Sequence, residues 1–598
     1  MYGRWTGRGT TLGERKERGI LINSQKKTDI LKNEIVITST EVVAKEGVVA
    51  AGHGITAEEG VKVLQRGGNA VDAAVAAQFV ANVVEPAACG IGGHGFLSIY
   101  DAAHQATDTI DWQTKLPRGV REDMFELEEG TGGVFGWRKV KDNAQTIGYL
   151  AAETPATVQA MWVAHQRHGH LPWQELIKPA IKLAEEGIPV DMGMERSTAA
   201  NLADLRRFPA TAEIFLRDGL PLREGNFFTP GDMLVHKDLG RTLRMIAAEG
   251  VRAITEGEIP AALEADMAAH GGIITAQDVA ECYPRVHQEP YYSYRDYTYV
   301  SGGCPVLVEA LNILECFDLG SLEPDHPTYR HLMIEAMRRA WVDCLAHMGD
   351  PDSMPVPDEG IRSKAYAQER AATIDLARAS SEVLPGDPWR YEPGGRPSGA
   401  ETLGQPDSRP GGSHTTRICV IDRWGNMIAV HTSLGLAFGS KVTVPGTGIL
   451  LGNGIESFNP EPGKPNSLAP GKRPLLVVPV VLMSRDGKPF ATMSGAGGRR
   501  TLGACLHYMV HLVDFGMGMQ EATQVLRLHT ELDDVFIDSR MDARVLSELE
   551  GMGHPIVPVA ETLTQPNFGR AVGILLDQAT DTIHGAGDFP RAGAIAGF

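Results

Sequence analysis

The chain has 598 residues, 43% of them apolar and 22% charged, enough for one large α/β domain or two to four ordinary ones. Its formal net charge of −19 argues against a nucleic-acid partner, since phosphate binding needs a basic face, and gives no support for an anionic membrane surface. The longest apolar run, "LLVVPVVLM" at 475–483, is too short to span a bilayer, and the basic N-terminus has no apolar stretch behind it as a secretory signal has, so a cytoplasmic location is expected.

Residues 1–34 read as a polar extension, and the globular part starts near "EVVAKEGVVAAGHG". In "TAEEGVKVLQRGG", Thr56 and Glu59 have capping-box spacing and Gly67-Gly68 ends the helix. Asn69 caps the next helix, "AVDAAVAAQFVANVV", which is apolar almost all round and therefore buried. "CGIGGHGFLSIYD" then turns into a strand. It contains Gly90, Gly92 and Gly95 in dinucleotide-fingerprint spacing, but that fingerprint needs strand, glycines, helix, and here the order is helix, glycines, strand. The nucleotide reading fails, and the glycines are expected to allow close backbone approach.

Residues 150–380 are helix-rich. From Leu384 to His414, thirteen of 31 residues are Gly or Pro, which predicts an exposed flexible linker. After it the pattern is β: "TTRICVID" and "MIAVHTSL" flank "RWGN" as a hairpin, with further strands at "GTGILLGN", "LLVVPVVLM" and "PFATMS". "GAGGRR" then leads into an apolar helix, "TLGACLHYMVHLVDFG". Strands packed with helices in this way indicate layered α/β architecture. Seven cysteines without Cys-x-x-Cys spacing read as buried thiols, no His-Glu-x-x-His is present, and no metal or cofactor is called for. "HMGDPD", with Asp350 and Asp352, reads as a helix-ending turn, and His431 as a packed strand residue.

A long linker that ends at a Thr opening a central strand is what an autoproteolytic N-terminal nucleophile requires. The Thr415 hydroxyl attacks the His414 carbonyl, the acyl group shifts from N to O, and water frees a new N-terminus. That α-amine, with an ordinary pKa near ~8, serves as base for its own Oγ. Backbone N–H groups at Gly497 and Gly498, where a loop enters a helix, are candidates for the oxyanion hole.

Across the chain, "GHGITAEEGVKVLQRGGNAVDAAVAAQFVANVVEP", "GIGGHGFLSIYDA", "AMRRAWVDCLAHMGDPD", "TTRICVIDRWGNMIAV", "FGSKVTVPGTGILLGN", "APGKRPL", "GAGGRR" and "GDFPRAGAIAGF" occur in an order that resembles the γ-glutamyltranspeptidase family of N-terminal-nucleophile (Ntn) hydrolases. The resemblance implies a four-layer αββα sandwich, cleavage between His414 and Thr415, and a heterodimer of a large subunit (35–414, after the extension) and a small one (415–598), with a higher oligomer open. It assigns Thr415 as nucleophile, Gly497 and Gly498 as oxyanion hole, and Thr416 and Ser433 as supporting hydroxyls, Ser433 standing where Thr is usual.

The departures fall where the family grips the donor glutamate. Gln113 replaces an Arg, Gly435 an Asn, Gly454 and Ser457 the groups that hold the α-amine, and Leu476-Val477 a Ser-Ser pair. Desolvating a zwitterionic γ-glutamyl head without partners costs several kcal/mol. The expectation is therefore an amidohydrolase for a small-molecule amide with a less polar acyl group. The alternatives are a γ-glutamyl hydrolase or transpeptidase proper, with Arg118 or Arg499 as donor contacts, a C–C bond hydrolase of secondary metabolism, and an unprocessed homologue without activity.

Overall fold

The computed structural model describes residues 41–132, 136–397, 414–475, 477–562, 567–588 and 594–598; the extension 1–34, most of the segment before Thr415, and Leu476 lie outside them. Fourteen strands make two seven-stranded antiparallel sheets. In chain order they are β1 (Val42–Ala44), β2 (Gly47–Ala51), β3 (His94–Asp101), β4 (Ala106–Asp111), β5 (Arg285–His287), β6 (Tyr292–Tyr294), β7 (Tyr297–Val300), β8 (Thr415–Asp422), β9 (Met427–Ser433), β10 (Val480–Arg485), β11 (Lys488–Ala496), β12 (Arg570–Asp577), β13 (Thr582–Gly587) and β14 (Ala594–Gly597). One sheet has the order β5-β4-β3-β9-β8-β2-β14, the other β1-β13-β12-β11-β10-β7-β6.

Period-two alternation sorts each strand's side chains between two cores. On β8, Cys419 and Ile421 meet Val480, Leu482, Val572 and Ile574 between the sheets. Ile418 and Val420 point the other way, into a core with helices α1 (Gly54–Gln65), α2 (Ala70–Val84), α3 (Thr157–His168) and α4 (Trp173–Glu186). The outer face of the second sheet is covered by α5 (Pro305–Leu314), α6 (Pro327–His347) and α7 (Arg500–Val513). The layers run helix, sheet, sheet, helix, as the resemblance implied.

Local details differ from the sequence reading in four places. α1 begins at Gly54 with His53 as its cap, the imidazole accepting from Ile55 N–H (3.2 Å), so Thr56 lies inside the helix rather than capping it. Asn69 does cap α2, reciprocally with Asp72. The strand expected over 475–483 begins only at Val480, because Pro479 has no N–H to give to a ladder. The linker expected from Leu384 is packed through its first part: Trp389 is buried, Gly386 N–H donates to Asp343 (2.7 Å), and composition alone hid that aromatic anchor. Six of the seven cysteines are buried, while Cys316 is exposed. No helix among the described residues is long and apolar enough to cross a membrane.

Candidate active site

The glycines after α2 are small for the expected reason. A Cβ at Gly92 would overlap the Leu450 carbonyl, one at Gly93 the Ser433 carbonyl, and one at Gly95 the His431 carbonyl. Helix α2 then braces β8 at both ends. At its start Ala70 N–H donates to Asp422 (2.8 Å), and just past its end Glu85 accepts from the Thr416 hydroxyl (2.9 Å). Fifteen helical residues span about 22 Å and the six steps from Thr416 to Asp422 about 20 Å, so one element fixes the other's position along its whole length. The hairpin turn between β8 and β9 closes on Asp422, which accepts from Trp424 N–H (2.9 Å) and Asn426 N–H (3.0 Å).

Register puts Thr415 opposite Ser433 and Ser433 opposite His94. One step past β4, Trp112 N–H donates to the Gly95 carbonyl (3.0 Å), which brings Gln113 abreast of His94. Alternation turns all four side chains to the face between the sheets, since Cys419, Met427 and Phe96 of the same parity lie there. The result is a row across four strands: Thr415, Ser433, His94, Gln113.

At one end, the Thr415 and Ser433 hydroxyls are 3.1 Å apart, and Ser433 donates to the His414 carbonyl (2.9 Å) while accepting from Gly435 N–H (2.8 Å). One hydroxyl thus touches both the Thr415 hydroxyl and the His414 carbonyl. β11 of the other sheet runs over β9, with Ser494 donating to Val430 O (2.9 Å) and Gly495 O against His431 Nδ1 (3.0 Å). Just past the end of β11, Gly497 (φ +127°) and Gly498 (φ +60°) take left-handed backbone that only glycine adopts without strain. His431 is stacked on Phe96 and burial lowers its pKa to about 3, which makes it a packed residue and no base at neutral pH.

At the other end, the positions that the resemblance assigned to donor binding have surroundings the sequence did not reveal. Gly454 and Gly452 are small because the buried Glu153 carboxylate fills the space their side chains would need, held there by Thr114 and by His94 Nδ1 (2.8 Å). Burial lowers the His94 pKa, but the Glu153 charge and hydrogen bond outweigh it, so the net shift is upward. Glu456 is buried nearby, and desolvation raises its carboxyl to about 8. Buried polar groups, Glu153 and Glu456, therefore stand beside Gly452 and Gly454. Gly435 (φ +89°) leaves room for Asn453, whose side-chain carbonyl accepts from Leu436 N–H (2.9 Å). Ser457 ends a short 3-10 turn and offers its carbonyl to Asn466 (2.8 Å). Val477 packs into the core under the second sheet. Gln113 lines a cavity of about 320 Å³ together with Arg285, Glu289 and Arg473. Arg118 is half-exposed and paired with Glu281, while Arg499 is buried against Glu531 (2.8 Å). Asp350 and Asp352 both hold Arg285, which agrees with a structural turn.

Two facing antiparallel sheets between helical layers, with a Thr opening a central strand at their shared edge, define the Ntn-hydrolase class. Within that class, the model of the gamma-glutamyltranspeptidase family matches residues 56–598, and the chain belongs to that family. It is 32% identical over 563 residues to the glutathione hydrolase proenzyme of Bacillus subtilis strain 168, covering 93% of this chain and 92% of that one. It is 31% identical to the acylase ACY 1 proenzyme of Pseudomonas sp. strain SE83, covering 86% and 87%. The structure of cephalosporin acylase from Bacillus halodurans superposes with a TM-score of 0.81 at 25% identity, over 95% of this chain and 98% of that one. The chain is thus a hydrolase or transferase of a family that acts on amide bonds.

Proposed function

We propose that the chain cuts itself between His414 and Thr415 and then hydrolyses amides whose acyl group is not γ-glutamyl. The observation that carries the reading is Ser433 Oγ, hydrogen-bonded at once to Thr415 Oγ1 (3.1 Å) and to the His414 carbonyl (2.9 Å). In maturation, Thr415 Oγ attacks the His414 carbonyl carbon while Ser433 polarises its oxygen. The Oγ proton passes to the Thr415 nitrogen as the C–N bond breaks, an ester forms at Oγ, and water hydrolyses it to leave the Thr415 α-amine free and the His414 carboxylate. In turnover that amine takes the Oγ proton, Oγ attacks the substrate amide, and the N–H groups of Gly497 and Gly498 receive the oxyanion. The leaving amine takes the proton, and water resolves the acyl-Thr ester. Thr416 is tied to Glu85 and keeps the start of β8 in place. The two pieces stay together as a heterodimer.

Against γ-glutamyl substrates stand Gln113 in place of an Arg, Gly435 and Gly454 without side chains, Ser457, and Leu476-Val477. Denaturing electrophoresis of the purified protein tests maturation: two bands are expected, the smaller starting at Thr415, and Thr415→Ala should stay whole. A single persistent full-length band overturns self-processing. A panel of p-nitroanilides with γ-glutamyl, glutaryl, aliphatic and aromatic acyl groups tests the substrate, and γ-glutamyl as the best by a wide margin overturns that half.

A further inference from the structure

His94 is the one member of the row whose side chain is anchored from behind and open in front. Its Nδ1 is fixed by the fully buried Glu153 carboxylate (2.8 and 2.9 Å), while its side chain keeps 17% exposure and Nε2 has no hydrogen bond to any described residue. Glu153 is itself held by Thr114 on the other side, and the glycines at 452 and 454 exist to admit it. A carboxylate so buried, with space cleared for it on two positions, orients the imidazole rather than meeting solvent. His94 lies two strands from Thr415 on the same face, roughly 10 Å between Cα atoms, a gap that a short acyl chain spans once both side chains reach inward.

We propose that His94, positioned by Glu153, recognises the far end of the acyl chain, accepting a group with a terminal hydrogen-bond-accepting oxygen and rejecting one with an ammonium. This rests on Thr415 being the nucleophile. With both ring nitrogens protonated, Nε2–H is a donor. It pairs with a carboxylate or carbonyl oxygen; a γ-glutamyl group carries the same carboxylate, but its α-ammonium on the adjoining carbon brings a second cationic donor beside Nε2–H, and that like-charge contact is what disfavours it. The carboxylate and the neutral carbonyl share this chemistry.

The neutral imidazole that keeps Nδ1–H toward Glu153 presents a lone pair at Nε2 instead, so the preference weakens as His94 loses its proton. The groups that act on His94 are Glu153 and Asp111, which favour its charged form, Glu456, which does so only once it ionises near pH 8, and His431, which is neutral and stacked on Phe96.

The test compares kcat/KM for four p-nitroanilides: glutaryl, 5-oxohexanoyl, hexanoyl and γ-glutamyl. Taking ratios between substrates cancels the titration of the Thr415 amine, which every substrate shares. Glutaryl or 5-oxohexanoyl should exceed hexanoyl by about ten- to a hundredfold, the worth of one charge-assisted hydrogen bond. Which of the two leads tells the carboxylate from the carbonyl. The ratio should fall toward one in His94→Phe, mainly through KM. In the parent enzyme it should decline with rising pH, and in Glu153→Gln that decline should move to lower pH, a shift that a merely structural Glu153 would not produce. Self-cleavage of each variant reports that it has folded, and should His94→Phe not fold, the parent's pH profile still decides. A protein that matures and cleaves anilides, yet shows an oxygen-to-hexanoyl ratio near one or independent of pH, overturns this inference alone. Failure to mature or to cleave any anilide overturns the underlying reading instead.

Discussion

Removing one oxygen atom at position 433 gives the sharpest test of how the precursor is arranged. Ser433 Oγ links Thr415 Oγ1 at 3.1 Å, the His414 carbonyl at 2.9 Å and Gly435 N–H at 2.8 Å. His414 and Gly435 are half-buried, so in Ser433→Ala water can satisfy much of what is lost, and folding stability should drop by only about 1 kcal/mol. The effect on self-cleavage is larger, because the donor to the scissile carbonyl acts on charge that develops only in the transition state. Losing such a donor costs about 10²- to 10³-fold in rate, or roughly 3–4 kcal/mol. The assay is a pulse of labelled protein made by cell-free translation, chased and resolved by denaturing electrophoresis, with urea unfolding of the Thr415→Ala background measuring stability. Ser433→Thr keeps the hydroxyl and should mature at close to the parental rate. If Ser433→Ala matures within threefold of the parent, the hydrogen bond to His414 has no part in the chemistry and the reasoning fails.

Two further outcomes follow from the acyl end. Burial raises the Glu456 carboxyl to about 8 from an ordinary 4.5, so the folded chain holds a proton that the unfolded chain has released between those values. Its contribution is fully present below about pH 4.5 and is lost as pH rises through 8; the stability of Glu456→Gln relative to the parent should therefore grow from about pH 5 to 8 in urea titrations, and a constant difference would show that the carboxyl ionises normally. Gly454→Gln puts an amide where the resemblance implies an acidic or amide side chain, but its Cβ would overlap Thr114 Oγ1 and Glu153. It should cost more than ~2 kcal/mol without creating γ-glutamyl hydrolysis, and the loss should be partly relieved by Glu153→Gly; an unstrained variant would mean Glu153 sits elsewhere.

Much of the fold was legible because period-two alternation and helix caps are local signals. "TTRICVID" and "MIAVHTSL" announce a hairpin on their own, and Asn69 with Asp72 announces the start of α2. Thr415 could be singled out by what precedes and follows it. Trp389 could not, since an aromatic set among glycines and prolines, with only Tyr391 near it, shows no helix or strand period. Nor could Glu153, which reaches the site from a loop and becomes meaningful only beside Gly452 and Gly454, nearly 300 residues away. His94 stood in view within "GIGGHGFLSIYD", and strand parity from Phe96 and Tyr100 would have turned it toward Ser433. The strand's register was the missing piece, because pairing between distant segments is not written in either alone.

The place where β8 begins carries a last consequence. Both sheets interleave strands from before and after residue 414: β2 lies between β8 and β14, β3 beside β9, β7 beside β10, and β1 beside β13. Cutting the chain before β8 leaves every one of these ladders intact, yet neither fragment keeps a complete sheet once they part. Under the proposed cleavage, that peptide bond would be a scaffold used once, for assembly. A matured molecule that is fully unfolded must find its other half by collision, with open strand edges on both. Its lifetime is then set by how slowly it comes apart.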